Sequence, residues 1–390
     1  MKIVFVTETF PPEINGVAMT FSIIARELGR RHAVTVYRPN RPGLKDRPVT
    51  PEYREVTLPG LPIPRYPELR LGLPAGRVFQ RDWTASRPDI VHVATEGPLG
   101  ASAITAARKL RIPVTSSFHT NFHTYTRHYG VAPLRHLALA WLRRVHNRTR
   151  LTFAPTSELR DQLTAAGFRG MTVLSRGVDV RFRPNRRSEE LRAAWGAGPG
   201  DPVVLHVGRM APEKNYPLLF RIFTAMRAAE PRTRFVLVGD GPQRPRLQRE
   251  LPGAIFTGFV SRDDLALHYA SSDLYIHASL TETFGNVLTE AMASGLAVAS
   301  FNYAAAREFI RNEETGLVVP PEDPDALLSA AVRLAADRNL RQRLRTAAAA
   351  RMESQSWEIV ISQFEADLAK VATDAGTPSC LLREPWVQPT

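Results

Sequence analysis

Leu274-Tyr-Ile-His-Ala-Ser-Leu-Thr-Glu-Thr-Phe-Gly-Asn-Val-Leu-Thr-Glu-Ala-Met-Ala-Ser-Gly-Leu-Ala-Val-Ala-Ser-Phe301 reads as one complete strand, helix and strand. A short apolar run, Leu274 to Ile276, gives way to a polar loop; Gly285 and Asn286 open a helical stretch; Gly295 closes it, and Leu296 to Phe301 is a second buried strand. Such units build parallel sheets with helices packed on them. The order of chemistry along the unit is also informative. Glu282 lies in the loop, an exposed helix N-terminus follows at Gly285 and Asn286, and Glu290 sits more than one turn into the helix. Carboxylates accept hydrogen bonds from hydroxyls and helix N-termini favour anions, so the unit is suited to sugar hydroxyls, a phosphate and ribose hydroxyls in that order. A surface helix with incidental acids is the plainer alternative.

The same grammar runs outward through the chain. Strands are expected at Lys2 to Thr7, Ala33 to Tyr37, Ile90 to Val93, Val114 to Phe118, Leu151 to Ala154 and Met171 to Leu174. In the second half they fall at Val203 to Val207, Phe235 to Val238, Ile255 to Thr257, Leu274 to Ile276, Leu296 to Phe301 and Gly316 to Val319. At 390 residues the chain exceeds what one core organises, which predicts two α/β, doubly wound domains. The Arg-, Pro- and Gly-rich stretch Arg181 to Pro202 separates them, giving domains at 1–185 and 186–356. Pro39 to Leu73 is dense in proline and reads as an irregular excursion. Trp357, Val360, Ile361, Phe364, Leu368 and Val371 follow helical spacing over about 357–372, a helix placed to pack back on the first domain, and 373–390 reads as a loose tail.

Composition excludes several classes. With 44% hydrophobic and 23% charged residues the chain is ordinary globular material. No apolar run approaches bilayer length, and that after Met1-Lys2 is too short for a signal-peptide core. A single cysteine, Cys380, allows no internal disulfide and fits a reducing compartment, so a cytoplasmic location is expected. The net charge of +13 is uneven: residues 1–185 carry 28 Lys and Arg against 13 Asp and Glu, and residues 186–390 carry 23 against 25. A basic first half suits an anionic surface, either lipid or nucleic acid.

Residues just past strand ends are the first place to seek a ligand site in open α/β sheets. After the first strand comes Phe10-Pro-Pro-Glu-Ile-Asn15-Gly16-Val, a tight loop into a helix start; it lacks the G-x-G-x-x-G of a nicotinamide site. The fourth strand runs into His119-Thr-Asn-Phe-His123-Thr-Tyr125-Thr-Arg-His128-Tyr129, dense in hydrogen-bonding groups that suit a polyhydroxyl ligand. A zinc site is the competing idea, but the histidine spacing matches no common ligand pattern. After the seventh strand, Gly208-Arg209-Met-Ala-Pro-Glu-Lys214 sets an arginine fork and a lysine point charge on one loop, able to converge on a diphosphate. Gly239-Asp-Gly-Pro242 is a turn whose glycines let backbone approach a ligand closely. From Pro133 to Arg150, Leu134, Leu137, Trp141 and Val145 recur at helical spacing among Arg135, Arg143, Arg144, Arg148 and Arg150. This basic amphipathic helix either buries its apolar stripe or lies on anionic headgroups.

Glu282 and Glu290 as E-x7-E, Gly208, Arg209 and Lys214 as G-R-x4-K, the Gly239 turn, Ser175-Arg-Gly-Val-Asp179 and Pro-Pro-x-x-Asn15-Gly16 occur in an order that resembles the retaining family 4 glycosyltransferases, of GT-B architecture. The likeness covers residues 1 to about 370, and its motifs together are specific. It implies two Rossmann-like domains facing a central cleft, and transfer of a hexose from a nucleotide diphosphate sugar without a metal or other cofactor. By position, Arg209 and Lys214 would grip the diphosphate and Glu290 the ribose, while Gly208, Val287 and the backbone around Phe284, Gly285 and Asn286 complete the donor site with Glu282. His119 would contact the transferred sugar, and Gly16 the diphosphate or acceptor. Asn15, His123, Tyr125, Arg143 and Arg144 are expected on the acceptor or membrane side. The Ser-Phe-His119-Thr-Asn-Phe stretch resembles the branch of bacterial mannosyl-, glucosyl- and sulfoquinovosyl-transferases acting on membrane lipids. That branch points to GDP-mannose, with UDP-glucose next, to a glycolipid or glycan acceptor, and to a peripheral position on the inner membrane face. Asp323-Pro-Asp325 matches a D-x-D metal pattern but reads as a helix cap. The rival readings are a sugar-nucleotide epimerase or phosphorylase of the same architecture and, more remotely, a nucleic-acid-binding protein, for which no reading motif is present.

Overall fold

A computed structural model of the chain describes residues 1–13, 15–41, 52–63, 66–119, 132–279 and 281–374. In the first half the strands are β1 (Lys2–Val6), β2 (Ala33–Pro39), β3 (Arg54–Leu58), β4 (Gly60–Ile63), β5 (Tyr66–Gly72), β6 (Ile90–Val93), β7 (Val114–Ser117), β8 (Thr152–Ala154) and β9 (Met171–Val173). In the second they are β10 (Val203–Val207), β11 (Arg234–Val238), β12 (Ile255–Gly258), β13 (Leu274–His277), β14 (Ala297–Phe301) and β15 (Leu317–Val319). They form a seven-stranded sheet in the order β3-β2-β1-β6-β7-β8-β9 and a six-stranded sheet in the order β12-β11-β10-β13-β14-β15. Every pairing within both sheets is parallel.

The near-continuous apolar strands follow from this arrangement, because helices cover both faces of each sheet. Ile3 and Phe5 of β1 join one core while Val4 and Val6 join the other. Val204 and Phe235 pack with Leu219 and Phe223, whereas Val203, Leu205 and Val236 pack with Tyr269 and Leu288. In the stretch expected to be irregular, Pro39 to Leu73, the described residues 52–63 and 66–73 carry strands. β3 extends the first sheet alongside β2, and β4 pairs antiparallel with β5. Pro62 in β4 and Pro67 in β5 are tolerated because these two strands form, among the described residues, a separate ribbon with free edges.

The C-terminal helix Trp357–Asp374 returns to the first sheet. Val360, Ile361, Phe364, Leu368 and Val371 are buried with Ile3, Phe5 and Phe21; Phe364 sits 5.0 Å from Phe153 and 5.1 Å from the ring of His92. The two halves also touch directly beside the cleft. Glu158, in the first turn of the helix Ser157–Ala165, accepts from the Ala304 backbone N–H at 3.1 Å and from Arg307 at 2.9 Å. Reciprocally, Glu308 of the helix Ala304–Phe309 accepts from the backbone N–H and hydroxyl of Ser157 at 2.9 and 2.6 Å. Each helix start is thus capped by a carboxylate from the other half.

Candidate active site

In each sheet the chain runs outward on one side of the first strand and then returns to the other side, leaving a crevice beyond the carboxyl ends of β1 and β6 and of β10 and β13. Ligands in such folds bind at these switch points. Here both crevices open into one cavity of about 850 Å³. Glu8, Thr9, Glu13, Asn15, Gly16 and Glu96 line it from the first half, and Lys214, Glu282 and Phe284 to Val287 from the second.

The second-half wall is organised around Glu282. Lys214, at the end of the short turn Pro212–Lys214 after β10, donates from Nζ to Glu282 Oε1 at 2.6 Å, and the Ser279 hydroxyl donates to the same oxygen at 2.8 Å. Burial alone would raise the Glu282 carboxyl, but Lys214, His277 and Ser279 outweigh it and hold it below the usual carboxylate range. Gly285 occupies the position before the helix Asn286–Ala293 with φ of 97°, a left-handed conformation that a side chain would strain. That conformation lets the chain turn from the Glu282 loop into the helix, presenting its first N–H groups to the cavity.

Glu290 lies deeper. Tyr269 OH donates to it at 3.2 Å, and Arg262 Nη2 stands 3.5 Å away. Burial pushes its carboxyl up to about 7, against the pull of Arg262 and Tyr269. Glu282 and Glu290, eight residues apart, therefore stand in opposite electrostatic states.

On the first-half wall, Asn15 Oδ1 caps the helix Gly16–Gly29 through the N–H groups of Val17 and Ala18 at 3.1 and 2.9 Å. Its amide donates to Thr9 Oγ1 at 2.6 Å, fixing the loop after β1. His119 lines the same cavity. Both of its ring nitrogens are buried with no hydrogen-bond partner among the described residues. Burial, then the charge of Arg176, push its imidazole well below its ordinary range, so it is neutral. Glu8 accepts from the Leu99 N–H at 3.0 Å, and burial raises its carboxyl to about 7.

The structure brings Asn15, Gly16, His119, Lys214, Glu282, Phe284, Gly285, Asn286 and Val287 to one cavity. Arg209 is exposed and stands outside that lining, and His123 and Tyr125 lie outside the described residues. Gly208 packs beside Lys214 and against the next loop: a Cβ on Gly239 would fall 2.1 Å from the Gly208 carbonyl oxygen. The Gly239 turn therefore accommodates neighbouring backbone, a different reason for glycine from close approach to a ligand. Arg143 and Arg144 are exposed on the helix Ala132–His146, whose expected apolar stripe is split. Val145 is buried with Leu142, whereas Leu137 and Trp141 are 66% and 43% exposed. Trp141 reaches the cavity lining. Asp323 caps the helix Pro324–Ala336 by accepting from the Ala326 N–H at 2.8 Å. Sequence reasoning assigned no part to Arg176, Glu8, Ser279 or the Arg262–Tyr269 pair around Glu290. Arg176 stands just past β9, where the strand-end rule points.

Residues 14–182 match the family described as Glycosyltransferase Family 4, and residues 201–337 match Glycosyl transferases group 1. A GDP-mannose-dependent alpha-mannosyltransferase of Mycobacterium tuberculosis is 34% identical, over 93% of this chain and 95% of its own. The sulfoquinovosyl transferase SQD2 of Arabidopsis thaliana is 31% identical over 78% of this chain and 61% of its own. Among solved structures, HepE of Anabaena, crystallised with UDP, superposes with a TM-score of 0.77 at 20% identity, covering 95% of this chain and 100% of that one. Two matched domains, relatives aligned over nearly the full length and twin parallel sheets meeting at one cleft lead to the same place: the chain belongs to the family 4 glycosyltransferases and has the GT-B fold.

Proposed function

We propose that this glycosyltransferase moves a hexose, mannose from GDP-mannose before glucose from UDP-glucose, to a membrane glycolipid or glycan, with retention at the anomeric carbon and without a metal. The observation that carries the reading is the Lys214–Glu282 pair facing His119 and Gly16 across one cavity. In this reading the donor diphosphate lies between Lys214, Arg209 and the start of the helix Asn286–Ala293. The Lys214 ammonium, matched by Glu282, turns to phosphate when the donor binds. Glu290 accepts from the ribose hydroxyls, and Glu282 and the neutral His119 hold the sugar.

When the bond between the anomeric carbon and the phosphate oxygen breaks, its electron pair leaves with the nucleoside diphosphate. The cations and helix N–H groups already aimed there stabilise that growing charge. The acceptor hydroxyl attacks from the face the diphosphate leaves and passes its proton to the departing phosphate oxygen. No metal is required because arginine, lysine and a helix terminus supply the positive charge. The name of the mycobacterial relative supports the mannosyl part of the reading. Exposed Leu137 and Trp141 beside Arg143 and Arg144 support a peripheral seat on anionic lipid.

Incubation with GDP-mannose or UDP-glucose and mixed glycolipid vesicles, in excess EDTA, followed by NMR of the product's anomeric proton, tests all three parts. An α-linked product formed at an undiminished rate in EDTA is expected. A β-linked product, or activity abolished by EDTA and restored by magnesium, contradicts the proposal.

A further inference from the structure

Arg176 leaves the end of β9 and lines the same cavity as His119, Lys214 and Phe284. The residue is only 5% exposed. Its Nη1 donates to the Gly16 carbonyl at 2.5 Å and to Thr20 Oγ1, while Nε and Nη2 have no acceptor among the described residues. Nor does any described carboxylate pair with it, in contrast to buried Arg38, matched by Glu55, and buried Arg192, matched by Asp273. Burial pulls its guanidinium down to about 10. A buried cation without a counter-charge is costly to keep, and such a group is matched once an anion arrives with a ligand.

The surroundings say where that anion sits. The guanidinium carbon lies 5.8 Å from the centroid of the Phe284 ring, in the loop that opens the helix Asn286–Ala293. Gly16, whose carbonyl Arg176 grips, is the first residue of the helix Gly16–Gly29. Two helix starts, one from each half, and one guanidinium with two free N–H edges thus border the same space. The rest of the first-half wall carries Glu8, Glu13 and Glu96, with Glu13 paired to Arg41, and one further cation, Arg70. What separates Arg176 from Arg70 is its place: it stands over Phe284 at the start of the helix Asn286–Ala293, where the donor reading puts the diphosphate. We infer that Arg176 is a further cationic ligand of the donor's distal phosphate, supplied by the first domain across the cleft. This rests on the donor reading given above. It adds a consequence: the diphosphate takes a cationic ligand from each domain.

Calorimetric titration of the wild type, R176Q and R176K with GDP, UDP, GMP and UMP tests the assignment. Loss of a charge-assisted hydrogen bond predicts that R176Q weakens the diphosphate that binds the wild type by about ten- to hundredfold. The matching monophosphate, lacking the distal phosphate, changes by less than about twofold, since those bonds are never made. R176K keeps the charge without the planar fork and falls between the two. Should R176Q fail to fold, a diphosphate-selective loss in R176K carries the same comparison. Unchanged diphosphate affinity, or an equal loss for mono- and diphosphate, overturns the role of Arg176 alone. A wild type that binds none of the four nucleotides overturns the donor reading and this inference with it.

Discussion

Glu290 is the side chain whose environment makes the sharpest demand. Burial raises its carboxyl to about 7 despite Arg262 and Tyr269, so near neutral pH it is divided between its two forms. In the proposed donor complex the ionised form accepts hydrogen bonds from two ribose hydroxyls, whereas the protonated form gives up one acceptor site to its own proton. Donor affinity is therefore expected to climb between about pH 6 and 8 and then level, because binding to the ionised form pulls the group's proton off. E290Q, which does not titrate, should bind more weakly with a flat profile; a pH dependence kept in E290Q would contradict this. Glu282 is held ionised by Lys214 and should not titrate in that window. Removing its charge by E282Q is predicted to lower kcat by about a hundredfold or more, the scale of one lost electrostatic contact at a reacting centre, which steady-state kinetics would read. The two acids were legible as a pair from spacing alone. Their opposite states were not, because those depend on Tyr269, Arg262, Lys214 and Ser279 arriving from elsewhere in the chain.

Elements carry the next set of consequences. β10 and β13 are tied at their bases by Asp273, which accepts from Arg192 at 2.8 Å, Arg345 at 2.8 Å and Arg187 at 3.1 Å, as well as from the Val203 N–H at 3.0 Å. Removing the one carboxylate strands the buried Arg192 and leaves the half-buried Arg345 and Arg187 without it, so D273A is predicted to cost about 3–5 kcal/mol of stability, read by denaturant unfolding; a loss under about 1 kcal/mol would show that water reaches the site. The helix Ala132–His146 presents Leu137, Trp141, Arg143 and Arg144 outward. Charge reversal at Arg143 and Arg144 is expected to weaken binding to anionic vesicles while donor hydrolysis in solution persists, and unchanged vesicle sedimentation would refute the membrane role. Strand positions were readable because helix-covered parallel strands are apolar on both faces, a local signal. The face presented by this helix was not, since Leu137 and Val145 are equally apolar and only the packed neighbours decide which is buried. β4 and β5 were hidden for a related reason: ribbon strands tolerate the prolines that elsewhere mark irregular chain.

At the scale of the whole molecule, the site exists only where the two sheets face each other. Helix caps exchanged between Ser157–Glu158 and Ala304–Glu308 hold that arrangement, and the Ala305 N–H donates to the Phe284 carbonyl at 2.9 Å, joining the clamp to the donor loop. Replacing Glu158 and Glu308 together by alanine is predicted to expand the free protein in small-angle scattering and to lower kcat/KM by about tenfold or more, the worth of one charge-assisted bond. Scattering and kinetics identical to the wild type would show that the clamp is incidental. None of this cross-domain geometry is written in any one segment, which is why motif reading singled out Lys214 and Glu282 on one wall of the cavity but passed over Arg176, which stands against Phe284 from the other half. The central claim is that the cleft between the sheets is a nucleotide-sugar site, and a thermal-shift series with GDP, UDP, GDP-mannose and UDP-glucose tests it most directly. A ligand bound at a hundred times its Kd stabilises the fold by about 2.7 kcal/mol, a shift of a few degrees. The account predicts such a shift for one nucleotide and its sugar, lost in E290A and R209A. No response to any of them, or a response the two variants share in full, would contradict it.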